Sequence, residues 1–71
     1  MKILLKYPEE LKRLRIRKGY TQGELGEIVY LSNIRINQLE RKENQHVLPK
    51  TAVALVDALI CEWGDLFAFE E

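Results

Sequence analysis

The stretch that decides the fold is TQGELGEIVYLSNIRINQLER, residues 21–41. Thr21 is a favourable N-cap residue, and Glu24 stands three positions later, which completes the pattern of a capping box. Apolar residues then follow at the spacing of one buried helix face; they are Leu25, Ile28 and Val29. The first half of the stretch therefore predicts a short amphipathic helix that begins just after Thr21.

A second helix is predicted to begin after Ser32, another N-cap residue, about one turn beyond Val29. In this helix only Ile36 and Leu39 have the spacing and chemistry of core residues. The stretch thus predicts two short helices joined by a tight turn.

The face of the second helix opposite Ile36 and Leu39 carries amides, one cation and one aliphatic side chain, with no acid. Its residues are Asn33, Ile34, Asn37, Gln38 and Arg41. Asn and Gln can pair bidentately with adenine, and an aliphatic side chain can touch the thymine methyl group. A solvated polar face would explain such a helix if it stood alone. The preceding helix and turn favour a face that reads DNA bases, with Asn37 on its margin.

This ordered set of residues resembles the helix-turn-helix of the lambda-repressor and Cro-like family, the XRE group. The resemblance extends over residues 9–67. In the first part of the chain it is carried by Leu11, Leu14, Arg15, Gly19, Thr21, Gln22, Glu24, Leu25, Ser32, Ile36, Leu39, Glu40 and Arg41. Near the end it is carried by Ala58, Leu59, Asp65, Leu66 and Phe67. It implies an all-α fold: a compact five-helix, lambda-repressor-like DNA-binding domain in which helices two and three form the helix-turn-helix.

Capping residues and apolar periods predict five helices, near residues 8–18, 22–30, 33–41, 49–60 and 63–68. Pro8 and Pro49 suit first helical turns, and Gly19 suits the position that ends the first helix. We predict one domain over residues 1–71, with an N-terminal arm at 1–7, the helix-turn-helix at 21–41, a polar loop at 42–48 and C-terminal helices at 49–68. No sheet is expected beyond a possible short strand in the arm.

Two residues depart from the family pattern. Tyr30 stands in the turn where the family often has Gly, and a positive φ is costly for an aromatic residue. A strained or altered turn is therefore expected there. Gly26 stands where the family prefers Ala, and a small residue at this position lets the two helices approach at some cost in helix propensity.

The resemblance also implies roles for residues outside the base-reading face. Gln22 is expected to touch the DNA backbone, where the start of a helix favours a phosphate. The further predicted phosphate contacts are Arg35, Arg41, Lys42 and Asn44. Arg15 and Glu40 are predicted to form a structural ion pair. The predicted dimer contacts are Trp63, Phe67 and Phe69, because a domain this small cannot bury every aromatic residue and a leftover apolar patch marks an interface.

The charge of the chain is balanced overall but unevenly distributed. The formal net charge is zero, which argues mildly against a nucleic-acid-binding protein. Residues 1–18 hold seven basic residues against two acidic ones, whereas residues 45–71 hold one against five. A molecule with a basic end can still present a positive face to phosphates.

These observations exclude several classes of protein. No nucleophile–base pair or phosphate-binding loop is present, and the single cysteine, Cys61, belongs to no set with metal-ligand spacing. We therefore predict neither an enzyme nor a cofactor or metal. No run of about 18 apolar residues suggests a transmembrane helix, and a cytoplasmic, nucleoid-associated protein is expected.

The sequence thus predicts a sequence-specific transcriptional regulator that binds the major groove of double-stranded DNA as a homodimer. A small repressor of phage or mobile-element type, acting by occupying operator DNA, fits best. The alternative is a protein-interaction module on the same fold, such as an antirepressor or an accessory subunit that binds another regulator. Zero net charge and the aromatic C-terminus favour that alternative.

Overall fold

Five helices and three short strands lie along residues 2–70, the part of the chain that the computed structural model describes; Glu70 is described by its backbone only. The helices are α1 (Pro8–Arg17), α2 (Gln22–Val29), α3 (Asn33–Glu40), α4 (Pro49–Leu59) and α5 (Trp63–Leu66). The strands are β1 (Lys2–Leu5), β2 (His46–Val47) and β3 (Phe67–Glu70). Met1 of the predicted arm and Glu71 of the acidic end lie outside the described residues.

Local signals in the sequence set the bounds of the first four helices, which begin where predicted and end one residue earlier. Pro8 and Pro49 occupy the first turns of α1 and α4, where their missing N–H leaves no hydrogen bond unmade. Gly19 has a φ of 80° just beyond α1, so it ends this helix in the left-handed conformation that glycine adopts without strain. The five-helix fold class is confirmed.

The three strands form one antiparallel sheet in the order β2-β1-β3, which joins the two ends of the chain. Ile3 is paired with Val47 on one side and with Phe69 on the other. Three predictions are therefore wrong in detail: α5 stops at Leu66 instead of reaching residue 68, the loop at 42–48 contains β2, and a three-stranded sheet forms where at most one short strand in the arm was expected. Residues 67–68 pair with β1 and are therefore extended instead of helical. Local sequence signals could not predict this pairing, because the partner strand lies far away in the sequence.

The core lies between the helices and is closed by the sheet. Leu11, Leu25, Ile36, Leu39 and Leu55 are fully buried. The sheet and the C-terminal segment contribute further core residues; they are Ile3, Leu5, Leu66 and Phe67.

The predicted core is wrong at Ile28, which the structure leaves exposed. This residue is 44% exposed, although its spacing predicts that it shares one buried face with Leu25 and Val29. Helix α2 packs against α3 and α4, and Leu25 and Val29 fill that contact, so Ile28 is left on the flank of the buried face.

Within the described residues 2–70, no helix has the length and apolar character needed to cross a membrane.

Candidate nucleic-acid interface

The start of α2 is fixed by a reciprocal capping box. The Thr21 hydroxyl accepts a hydrogen bond from the Glu24 backbone N–H at 3.0 Å, and the Thr21 backbone N–H donates to the Glu24 carboxylate at 2.8 Å. Hydrogen bonding of the Glu24 carboxylate to Thr21, first to its backbone N–H and then to its side chain, holds the pKa of the Glu24 carboxyl below its ordinary value. The sequence predicted this box, which satisfies two backbone N–H groups at the start of α2 and so fixes where the helix begins.

The turn between α2 and α3 is strained at an aromatic residue. Tyr30 adopts the left-handed conformation, with φ 62° and ψ 39°, and its backbone N–H donates to the Gly26 carbonyl. The Leu31 backbone N–H donates to the same carbonyl at 2.8 Å. A Cβ atom at Gly26 would lie 2.4 Å from the Leu31 carbonyl oxygen, so glycine is needed for this close approach. Both departures from the family pattern thus belong to one tight, strained turn.

Helix α3 buries one side and exposes the other. The Ser32 hydroxyl accepts a hydrogen bond from the Arg35 backbone N–H at 3.1 Å and so caps the helix. Ile36 and Leu39 are fully buried, as predicted, whereas Ile34 is 66% exposed. The predicted base-reading residues divide into two groups: Asn33 and Ile34 are exposed, and Asn37 and Gln38 are partly buried.

A chain of polar contacts links the core to the predicted interface. The Arg15 guanidinium donates to the two Glu40 carboxylate oxygens at 2.6 and 3.1 Å, and to the Tyr20 carbonyl at 2.8 Å. The side chains of Arg15 and Glu40 are only 11% and 4% exposed, so this is a nearly buried pair. The Gln22 side-chain amide donates to Glu40 at 3.2 Å, and its carbonyl accepts from Asn37 at 3.5 Å. Glu40 therefore holds Gln22, and Gln22 contacts Asn37.

Arg35 lies away from the other predicted phosphate contacts. Its Nη2 donates to the His46 carbonyl at 2.9 Å, and its Nη1 is buried without a hydrogen-bond partner among the described residues. The side chain thus ties α3 to β2. This position does not support the phosphate role predicted for Arg35. On the helical wheel Arg35 lies between the buried and the exposed faces of α3. Its positive charge alone predicts a phosphate contact and does not show this intermediate position.

The remaining predicted phosphate contacts follow the end of α3. Arg41, Lys42 and Asn44 are all exposed. Lys42 forms an ion pair with Glu9 at 2.8 Å, and the Arg41 Nε lies 3.6 Å from the Glu43 carboxylate. All four side chains in these pairs are more than half exposed, so the pairs are weak and open to exchange for a phosphate. Arg41 and Lys42 are thereby available to a phosphate, together with the Asn44 amide.

The three predicted dimer contacts have different environments. Phe67 is 4% exposed and belongs to the core, so its side chain is not available to a partner and we remove it from the predicted set. Trp63 is partly buried and packs against the core. Its ring stacks on Phe69 with centroids 5.6 Å apart, and Phe69 remains 57% exposed. The Trp63 ring thus packs mainly against residues of its own chain and leaves little surface for a partner.

Sequence reasoning missed the residue that anchors the loop after α3. The Gln45 side-chain amide donates to the carbonyls of Leu5 and Leu39, at 3.3 and 3.1 Å. Gln45 therefore links the C-terminal end of α3 to the end of β1. No local pattern marks Gln45, because both of its acceptors are backbone atoms from other elements.

Comparison with known proteins agrees with this geometry. A family model described as helix-turn-helix matches residues 11–66. The restriction-modification controller protein C.AhdI from Aeromonas hydrophila is similar in structure, with 26% sequence identity and a TM-score of 0.74, over 86% of this chain and 91% of that one. The transcriptional regulator VanUg is similar with 28% identity and a TM-score of 0.65, over 100% of this chain and 92% of that one. No curated protein sequence matches the chain.

The family match extends over most of the chain and includes every element that builds the exposed face of α3. The relatives are regulators of transcription or of restriction-modification, and not enzymes. The chain therefore belongs to the lambda-repressor-like helix-turn-helix family of DNA-binding transcriptional regulators.

Proposed function

We propose that this regulator is a small repressor that acts by occupying operator DNA, as phage and mobile-element repressors do. The observation that carries the proposal is the exposed start of α3. Asn33 and Ile34 project there without an acidic neighbour on the same face, and Ile34 is 66% exposed although α3 is otherwise well packed. In helix-turn-helix proteins the first residues of the second helix contact base edges in the major groove.

Base reading is assigned to Asn33, Ile34 and Gln38, with Asn37 on the margin. Gln38 can pair bidentately with adenine, and Ile34 can contact a thymine methyl group. Asn37 donates one N–H to Gln22, so its carbonyl oxygen and second N–H remain for a base. The contact with Gln22 restricts the orientation of the Asn37 amide before DNA arrives, which lowers the entropy lost on binding.

Phosphate contact is assigned to Gln22, Arg41, Lys42 and Asn44. Gln22 uses one N–H for Glu40 and keeps the other for a phosphate at the start of α2, where backbone N–H groups and the helix dipole favour an anion. Arg41, Lys42 and Asn44 are exposed at the opposite end of α3. The two groups would therefore hold the backbone on either side of the base-reading residues.

The proposal includes a homodimer, because readers of this type bind two half-sites about 34 Å apart. Each α3 would then read one half-site, and the operator would be an inverted repeat. A single α3 offers few base contacts, so one copy alone would bind weakly. The proposal also places the protein in the cytoplasm on the nucleoid.

A binding titration of variants on selected and scrambled duplexes, at several salt concentrations, tests these roles. Gln38→Ala should lose roughly 1–3 kcal/mol on the selected duplex and little on the scrambled one. Lys42→Ala should weaken binding to both duplexes alike and make the salt slope shallower by about one unit. Ile34→Ala should weaken only sites with a thymine at one position. Ile28→Ala is its matched control, because Ile28 is an exposed aliphatic residue on α2.

Equal losses for Gln38→Ala and Lys42→Ala on both duplexes would contradict the base-reading assignment. If the wild type binds no duplex even at low salt, the chain is instead an interaction module that binds another regulator. Zero net charge and the exposed side chains of Tyr30 and Leu48, 91% and 72% exposed, are the features that such a module would use.

A further inference from the structure

The outer face of α4 carries a short apolar stripe between two opposite charges. Lys50, Val53, Ala54 and Asp57 recur at i, i+3, i+4 and i+7, on the side of α4 opposite the face that enters the core. Lys50, Val53 and Asp57 are exposed, whereas Ala54 is partly buried and packs against the margin of the core. None of these four residues belongs to the predicted interface with DNA.

A hollow with exposed apolar walls runs along this stripe. It has a volume of about 670 Å³ and lies between α4 and the end of α2. Tyr30 and Leu48 border it and are 91% and 72% exposed. Tyr30 is also one of the four non-glycine residues between positions 2 and 70 that have a positive φ. Packing within the chain gives no reason for an aromatic side chain at this position, since the ring is almost entirely in solvent.

The two charges of the stripe have no ion-pair partner among the described residues. Lys50 and Asp57 are seven residues apart on one helix, about 10.5 Å along its axis at 1.5 Å per residue, which is too far for an ion pair. Neither forms an ion pair with any other residue between positions 2 and 70. Both are therefore available to a second molecule.

We propose that this α4 stripe is the surface on which two copies of the chain associate, with the two α4 helices antiparallel about a two-fold axis. The midpoint between Lys50 and Asp57 is also the midpoint between Val53 and Ala54. A two-fold axis at this point brings each Lys50 to the Asp57 of the other copy and sets each Val53 against the Ala54 of the other copy. The stripe is thus complementary to itself in both charge and polarity. Tyr30 and Leu48 extend the apolar area beside it.

This surface suits a second copy better than the C-terminal aromatic residues do. Phe67 is in the core and Trp63 is partly buried, so Phe69 alone offers substantial exposed area there. A stable interface buries about 800 Å² on each partner, far more than one ring supplies. The α4 face extends over eleven residues, about 16 Å at 1.5 Å per residue. The inference rests on the homodimer of the proposed function and names its interface.

Charge reversal with complementation tests the interface by sedimentation equilibrium without DNA. Lys50→Glu and Asp57→Lys each set two like-charge pairs in a homodimer, so each should weaken dimerisation by about tenfold or more. An equimolar mixture of the two variants should recover dimers, because Glu at position 50 then meets Lys at position 57 in the mixed dimer. The double variant should recover them as well. Thermal melting should show that both exposed substitutions leave the fold intact.

Phe69→Ala is the matched variant for the competing surface and should change the dimerisation constant by less than about twofold. The interface is overturned if the mixture fails to recover dimers, or if Phe69→Ala weakens association while the charge reversals do not. If the wild type stays monomeric at high concentration, both the proposed interface and the proposed homodimer are wrong. The titration on duplexes would still decide separately whether α3 reads DNA.

Discussion

Glu40→Ala should destabilise the domain more than the loss of any exposed carboxylate. Glu40 is 4% exposed at its side chain and accepts two hydrogen bonds from Arg15 and one from Gln22. Truncation leaves the Arg15 guanidinium, itself 11% exposed, with the Tyr20 carbonyl as its remaining acceptor. An uncompensated buried charge of this kind costs about 3–5 kcal/mol, and we expect about 3 because Arg15 keeps that hydrogen bond and some contact with water.

The assay is thermal and urea unfolding, with Glu43→Ala as the control. Glu43 is 55% exposed at its side chain and lies 3.6 Å from an Arg41 that is itself 69% exposed. Such a pair contributes at most about 1 kcal/mol. In a domain of this size a loss of 3 kcal/mol lowers the Tm by roughly 12–24 °C, so the two variants should separate clearly.

Equal melting temperatures for Glu40→Ala and Glu43→Ala would refute the reasoning. A second comparison isolates the buried charge as the cause. Replacing Arg15 and Glu40 together by Met and Leu should cost less than Glu40→Ala alone, because no unpaired charge then remains in the core. If the double variant is the less stable one, packing of the side chains, and not charge, accounts for the loss.

Three further outcomes are expected. Tyr30→Gly should raise the free energy of unfolding by about 1 kcal/mol in dilute solution, because glycine adopts the left-handed conformation without strain; a lower urea midpoint would contradict this. Phe67→Ala should cost about 3–5 kcal/mol as a core truncation, whereas Phe69→Ala should cost under about 1 kcal/mol as a surface change, and chemical denaturation of both variants checks the order. The capping bonds from Thr21 lower the pKa of Glu24 in the folded chain, so this carboxylate stabilises the fold above its unfolded pKa and loses that effect as the pH falls through the folded value. Glu24→Gln should therefore reduce the loss of stability below about pH 4.3, and an unchanged acid-unfolding curve would show that the cap does not contribute.

The helices could be predicted from the sequence because their signals are local. Each of α2 and α3 is set by an N-cap within a few residues of its apolar positions, and the structure contains both caps. The strand at residues 67–70 could not be predicted in the same way. A short aromatic segment is compatible with either helix or strand, and its partner, β1, lies at the other end of the chain.

The outward-facing residues of α3 could also be predicted, because a helical wheel shows which positions lie opposite the buried face. The wheel does not show what a long side chain contacts in a neighbouring element. Arg35 reaches the His46 carbonyl and Gln22 reaches Glu40, and both contacts depend on how separate elements pack. The family resemblance, for Gln22, and the position of a cation on α3, for Arg35, therefore predict phosphate contacts without revealing that each side chain is also held by another part of the fold.

The position of β1 at the centre of the sheet has a consequence for the order of folding. Helices α2 and α3 are adjacent in sequence and can dock after closing one short turn, whereas pairing β1 with β3 joins Lys2 to Glu70 and must close nearly the whole chain. Because loop-closure entropy delays such long-range contacts, we expect the transition state for folding to contain the two docked helices without the sheet. Weakening the sheet, for example with Ile3→Ala, should then accelerate unfolding and leave the folding rate nearly unchanged, which stopped-flow kinetics can measure. The strength of the sheet would thus set the unfolding rate of the regulator. The docking of α2 and α3 would set its folding rate.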